Sequence, residues 1–165
     1  MSDPVPFISL LILTVGLPGS GKSFWAYQQS DLYYAGKGPY ASMYTAFTVI
    51  ERDLVRYELT GSQRDHTKEA VVTRITQQRA RAALLRGEVV VISDTNIRPK
   101  YRTQWMALAS ECGARAEVKH FTGVPLSLCL ERNARRHDPV PEEIILKMYQ
   151  TLLDNGEVPP VGSYS

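Results

Sequence analysis

Gly16-Leu17-Pro18-Gly19-Ser20-Gly21-Lys22-Ser23 has the spacing G-x-x-x-x-G-K-S. That spacing suits a run of phosphates. Gly16, Gly19 and Gly21, with Pro18 and Ser20 between them, let main-chain N–H groups close around an anion without Cβ clashes. Lys22 is placed to reach the β- and γ-phosphates, and Ser23 offers a hydroxyl to Mg²⁺. The chemistry is binding of a nucleoside triphosphate, with ATP as the expected donor and Mg²⁺ as its metal.

Other residues supply what such a loop lacks. Asp94 follows the apolar run Val89-Val90-Val91-Ile92-Ser93, the pattern of a carboxylate that helps hold Mg²⁺ through water. It also fits an Asp capping the next turn. Asp53 is the candidate general base for transfer to a hydroxyl, and fits a helix N-cap equally well. Arg52 and Arg56 flank it, and Arg56, three residues on, shares its helix face. Cations there suit a polyanionic acceptor; a surface ion pair is the plainer reading. Arg132, Arg135 and Arg136 lie before a Pro-bounded turn. They suit a lid that neutralises charge on a transferred phosphoryl group, or simply a solvated basic face. His66, His120 and His137 have no partners at metal-ligand spacing. Trp25 and Trp105 read as core or rim aromatics. Tyr33, Tyr34, Tyr40 and Tyr44 cluster near the acceptor side, where stacking on a base is the lesser reading.

These groups need elements to hold them. An apolar run from Phe7 to Val15 reads as a buried strand before the loop, and a helix opens at Lys22 and runs to about Ser30. Ala46–Ile50 is a second strand, followed by a short helix from Asp53 to Leu59. Residues 63–86 lack Gly and Pro and read as one helix whose apolar face is Val71, Ile75, Ala82 and Leu85. Glu88–Ile92 reads as a strand buried on both faces. A helix from Pro99, a strand over 116–121, a helix from Pro125 and a last helix from Pro141 follow. Ile145, Met148 and Leu152 stripe that last helix. Residues 1–6 and about 154–165 read as loose ends. The fold class is α/β: a P-loop NTPase fold with a parallel sheet of about four to five strands, helices on both faces and an Arg-bearing lid. Ligands of such sheets bind beyond the strands' carboxyl ends. Residues 16–23, Arg52-Asp53 and Asp94-Thr95 are thus predicted to converge on one crevice.

The totals are consistent with this. The 165 residues are expected to form a single domain. With 44% hydrophobic and 22% charged residues the composition is ordinary globular, and a net charge of +2 does not by itself mark a nucleic-acid partner. Cys112 and Cys129 form neither a metal motif nor a disulfide framework. The first apolar run is too short to span a bilayer, so no membrane partner and a cytoplasmic location are expected.

Taken together, the segments Gly-Leu-Pro-Gly-Ser-Gly-Lys-Ser-Phe-Trp at 16–25, Ile-Glu-Arg-Asp at 50–53 with Arg56, Val-Ile-Ser-Asp-Thr-Asn at 91–96 and Glu-Arg-Asn-Ala-Arg-Arg at 131–136 resemble the kinase domain of phage polynucleotide 5′-kinases. Val140-Pro141 and Met148-Tyr149 extend the similarity, which runs from about residue 8 to residue 153. The resemblance implies transfer of the γ-phosphate of ATP to the 5′-hydroxyl of DNA or RNA, in end healing. It implies that Lys22 and Ser23 meet the β/γ-phosphates and Mg²⁺, and that Asp94 organises the metal side. Asp53 would accept the proton of the 5′-hydroxyl. Arg56 would contact the acceptor's 3′-phosphate, with Arg52 and Thr95 on the same side. Arg136 would grip the donor phosphates from the lid, beside Arg132. A separate ligase or phosphatase is an expected partner, and a host cytoplasm the expected place if the protein is phage-encoded.

Two departures stand out. Leu54 occupies a position where the family's best-known member has a further acid, and the stretch Gly36–Tyr44 is longer here. No Asp-x-Asp-Gly motif occurs, so 3′-phosphatase activity is not expected. The rival expectations are a P-loop kinase of a nucleoside, sugar or antibiotic, and a nucleotide-binding switch with weak hydrolysis, which would need no base at Asp53.

Overall fold

The computed structural model describes residues 8–41 and 43–158. The expected loose start at 1–6, Phe7 and the end beyond 158 lie outside the described residues. In chain order the elements are β1 (Leu10–Val15), α1 (Lys22–Tyr34), β2 (Phe47–Ile50), α2 (Arg52–Thr60), α3 (Glu69–Leu85), β3 (Val89–Ile92), α4 (Pro99–Glu111), β4 (Arg115–His120), α5 (Leu126–Ala134) and α6 (Glu142–Asp154). The four strands are all parallel, in the order β2-β3-β1-β4, with Leu10 opposite both Val89 and Arg115.

The hydrophobic pattern sets that order. β1 and β3 are apolar and buried throughout, as strands covered on both faces must be. β4, with the sequence Arg-Ala-Glu-Val-Lys-His, is exposed along its length, and its charges suit an edge. Alternate residues of each strand point to opposite faces. Leu11, Leu13, Val90 and Ile92 meet Ala80, Ala83 and Leu84 of α3 and Leu108 and Ala109 of α4. Leu10, Ile12, Val89 and Val91 meet Ala26 of α1. A third cluster joins Val15, Leu17 and Ile97 to Cys129 of α5 and to Ile145 and Leu152 of α6. Helices therefore cover both faces, and α5 and α6 pack where β1 ends.

Three expectations need correction. The helix predicted over 63–86 begins only at Glu69. Side chains of the preceding segment compete for its backbone: Asp65 accepts from the Thr67 N–H (2.9 Å) and hydroxyl (2.6 Å), and Ser62 Oγ accepts from the Arg64 N–H (3.1 Å). The buried face of α3 is also turned. Val72, Thr76, Ala80, Ala83 and Leu84 face inward, while Leu85 is exposed. Two alanines let the helix lie close on the sheet, and the Thr76 hydroxyl is satisfied by the Thr73 carbonyl at 2.9 Å.

The stretch after Asp154 is anchored at least to Val158. The Arg102 guanidinium bonds both carboxylate oxygens of Glu157 at 2.6 and 3.0 Å, and Val158 is buried. The tyrosines do structural work away from the crevice. Tyr33 donates to the Tyr44 carbonyl at 2.6 Å, and the Tyr33 and Tyr40 rings pack 5.9 and 6.0 Å from that of Phe47. Cys112 and Cys129 are both free thiols, and Cys129 is buried.

Candidate active site

The three strand ends converge. Pro18, Lys22 and Ser23 after β1, Glu51 to Asp53 after β2, and Ser93 to Thr95 after β3 all line one cavity of about 1070 Å³. Single small-molecule pockets span roughly 300–1,000 Å³, so this one has room for a donor and an acceptor together. Hydrogen bonds tie the ends to one another. The Gly16 N–H donates to the Thr95 carbonyl at 3.1 Å. The Ser23 hydroxyl donates to Glu51 and lies 3.3 Å from Ser93 Oγ.

The loop is built as its glycines require. Gly19 and Gly21 have φ of 82° and 97°, where a side chain is strained. A Cβ on Gly19 would also run into the Cys129 carbonyl. The Lys22 ammonium is buried and donates to the Leu17 carbonyl at 2.7 Å. Burial lowers its pKa to about 8; the Asp94 charge opposes that shift and Arg136 adds to it. Lys22, Asp94 and Arg136 therefore share one electrostatic environment.

On the other side of the cavity, Asp53 opens α2 with its side chain 45% exposed. Arg56 is buried, its side chain only 5% exposed. Its Nη1 donates to Asp53 (2.6 Å) and to the Gln63 carbonyl (3.0 Å), and its Nε and Nη2 donate to Glu69 (2.6 and 3.0 Å). Arg52 also bonds Glu69, at 3.0 Å, and the Thr73 hydroxyl at 2.7 Å. The Arg56 and Arg52 guanidiniums hold the Glu69 carboxyl down at about 2. Most of the Arg56 donors are thus engaged within the wall, by Asp53, Gln63 and Glu69, rather than turned toward the space an acceptor phosphate would fill.

Asp94, just after β3, lines the same cavity. Burial pushes its carboxyl above the usual range, against the Thr95 N–H that donates to it at 2.7 Å. Its backbone is fixed from β1: the Asp94 N–H donates to the Thr14 hydroxyl (3.2 Å), and Asn96 Nδ2 donates to the Thr14 carbonyl (2.9 Å). Among the described residues no three His, Cys, Asp or Glu form a ready metal cage. The hard oxygens present, from Ser23, Ser93, Asp94 and Glu51, nonetheless fit Mg²⁺, which takes one or two carboxylates together with substrate phosphates and water.

The arginines of α5 divide. Arg132 Nη1 bonds the Gly19 carbonyl at 3.3 Å, and Arg135 turns away to pair with Glu131 at 2.7 Å. Arg136 is exposed and lines the cavity, and its guanidinium has no hydrogen-bond or ion-pair partner among the described residues. Asn133 pins the loop beyond it, accepting from the Val140 N–H (3.0 Å) and donating to the Val140 carbonyl (2.8 Å). Trp105 packs, partly buried, against the core between the sheet and α3, and lines the cavity.

Sequence reasoning missed Glu51, Arg64 and Glu69. Glu51 accepts from Ser23 and from the Tyr27 hydroxyl at 2.7 Å. Arg64 links Asp53 to the lid loop at Asp138. Only Glu51, next to Arg52 at a strand end, stood where a signal could have been read.

A family model described as an AAA domain, AAA_33, matches residues 11–155. The chain is 27% identical, over 90% of its length, to a protein of Autographa californica nuclear polyhedrosis virus named as a bifunctional polynucleotide kinase/RNA ligase, of which it covers 22%. It is also 27% identical, over 86% of its length, to L-seryl-tRNA(Sec) kinase of Methanococcus maripaludis, of which it covers 51%. The chain thus spans about half or less of these curated relatives. A chain of the Pnkp1/Rnl/Hen1 RNA repair complex superposes with a TM-score of 0.68 at 21% identity, over 94% of this chain and 47% of that one. At that identity the likeness shows the fold. No helix among the described residues is long and apolar enough to cross a membrane. With the phosphate-binding loop, the four-stranded parallel sheet and a family match over most of its length, this chain belongs to the AAA_33 family of AAA domains.

Proposed function

We propose that the domain is a polynucleotide 5′-hydroxyl kinase, moving the γ-phosphate of ATP to the 5′ end of DNA or RNA. The observation that carries this is Asp53. It is a half-exposed carboxylate held by a buried arginine, in the same cavity as the phosphate-binding loop. A hydrolytic switch has no use for such a base. A wall of Arg52, Arg56 and Arg64 around it suits a polyanionic acceptor better than a neutral sugar.

In this reading the loop N–H groups and Lys22 hold the β- and γ-phosphates. Ser23, with Asp94 and its neighbours, would hold Mg²⁺, which neutralises charge on the phosphates. Asp53 takes the proton of the 5′-hydroxyl as that oxygen attacks the γ-phosphorus; the bond from the γ-phosphorus to the bridging oxygen breaks, and ADP leaves. Arg136, unpaired and facing the cavity, stabilises charge on the moving phosphoryl group. Arg132 braces the loop through Gly19, and Thr95 lies beside the acceptor. Arg56 and Arg52 act as positioning residues through Asp53 and Glu69. A separate ligase would join the ends that the kinase prepares. The polynucleotide kinase/RNA ligase name of the viral relative supports this acceptor class.

The test is incubation with labelled ATP and Mg²⁺ and three acceptor arms: 5′-OH oligonucleotides, free nucleosides, and none. Label on oligonucleotide 5′ ends is expected. Label only on nucleosides, or only in inorganic phosphate, overturns the reading.

A further inference from the structure

Resting on that acceptor reading, we propose that the cavity wall formed by α4 and α6, bearing Arg98, Tyr101 and Lys147, is a track for the single strand beyond its first nucleotide. The two walls of the cavity differ in charge. On the α2–α3 side, Arg52, Arg56 and Arg64 each meet carboxylates of that side or of the lid loop. The acids that line the cavity are Glu51, Asp53, Glu69, Asp94 and Asp138, and none of them belongs to α4 or α6. Arg98, just before α4, and Lys147, within α6, line the same cavity and are exposed. Neither that guanidinium nor that ammonium has a hydrogen-bond or ion-pair partner among the described residues.

The two elements that bear these cations are held together. Ile97, one residue before Arg98, shares an apolar cluster with Ile145 and Tyr149 of α6. Arg102 of α4 bonds Glu157, just beyond α6, at 2.6 and 3.0 Å. Beside the cations the wall is apolar. Tyr101, 42% exposed, closes the first turn of α4, its N–H donating to the Arg98 carbonyl at 3.0 Å. Ile144, 39% exposed, stands one turn before Lys147 on α6. Both line the cavity, and the Lys100 ammonium stands 5.1 Å from the Tyr101 ring centroid. Free cations beside an exposed aromatic are what a groove for single-stranded nucleic acid is made of: the charges follow the phosphates and the ring takes a base. The donor's phosphates have their own partners at the loop and Lys22. A compact neutral acceptor would leave the cations of α4 and α6 unused, whereas a strand leaving Asp53 meets its free counter-charge on this wall.

The test varies the length of the acceptor and the salt. Wild type, R98Q/K147Q, R98K/K147R and Y101L are assayed with saturating ATP and Mg²⁺ on a 5′-OH dinucleotide and on a 5′-OH octanucleotide that begins with the same two bases. Wild type should have a KM for the octanucleotide about tenfold below that for the dinucleotide, the order expected of two exposed charge contacts. R98Q/K147Q should bring the two KM values together. Its slope of log KM against log salt on the octanucleotide should fall by about 1.4, two phosphates at roughly 0.7 each. R98K/K147R, which keeps both charges, should retain the gain with length, and Y101L should lose part of it through the missing stack. Equal KM values for the two lengths with wild type, a gain with length that survives R98Q/K147Q or Y101L in full, or a variant that weakens both lengths and ATP by one factor overturns the proposal while the acceptor reading stands. If wild type labels neither oligonucleotide, both fail.

Discussion

Arg56 Nη1 lies 2.6 Å from Asp53 Oδ1, and the opposite edge of the same guanidinium grips Glu69. The candidate base is therefore aimed by α3, through an arginine of α2. Arg56→Ala should lower transfer to every acceptor by a similar factor, whether or not that acceptor carries a 3′-phosphate. Kinetics on a nucleoside 3′-phosphate and on the matching nucleoside compare the two. A loss confined to the phosphorylated acceptor would return Arg56 to direct contact.

Glu69 should matter most to stability. Glu69→Gln leaves two guanidiniums short of their counter-charge, one of them buried, at a cost of about 3 kcal/mol. The folded protein holds this carboxyl at about 2 against an ordinary 4.5. Its stabilisation is complete above the ordinary value and fades as pH falls toward 2. The melting-temperature gap between wild type and variant should therefore narrow across that window. A gap that stays constant from neutral pH to pH 2 would contradict the assignment.

Gly19→Ala tests the loop. It forces a side chain into positive φ and against the Cys129 backbone, at a cost of about 2 kcal/mol. A lower melting temperature with weaker ATP binding is expected by calorimetry. Unchanged ATP affinity would mean the loop tolerates a different conformation.

The stretch after α6 is pinned by Arg102 and Glu157. Glu157→Ala should cost about 2 kcal/mol and expose that segment to limited proteolysis. Wild-type resistance in the variant would show that the pair does not anchor it.

Much of this was legible in the chain because it is written locally. The loop motif, the valine run before Asp94 and the prolines that open α4 and α6 each declare themselves within ten residues. The convergence of the three strand ends followed from the rule for parallel sheets. Glu69 was not legible. It lies 13 residues from Arg56 in a stretch that read as one continuous helix, and only the packing of α3 on α2 brings them together. The inward face of α3 was misread because Val72, Thr76, Ala80, Ala83 and Leu84 are the buried set, one step round the helix from the expected Val71, Ile75 and Leu85. Arg64 and Asp138 are 74 residues apart, and no sequence pattern joins them.

The central claim is that Asp53 takes the proton of a polynucleotide 5′-hydroxyl. It is tested most directly by single-turnover transfer from labelled ATP to a 5′-OH oligonucleotide, for wild type and Asp53→Asn, beside each protein's ATP affinity. The account predicts 5′-end label with wild type and transfer slowed about a thousandfold in the variant, with ATP affinity nearly unchanged. A variant that transfers at the wild-type rate, or a wild type that leaves the oligonucleotide unlabelled, would contradict it.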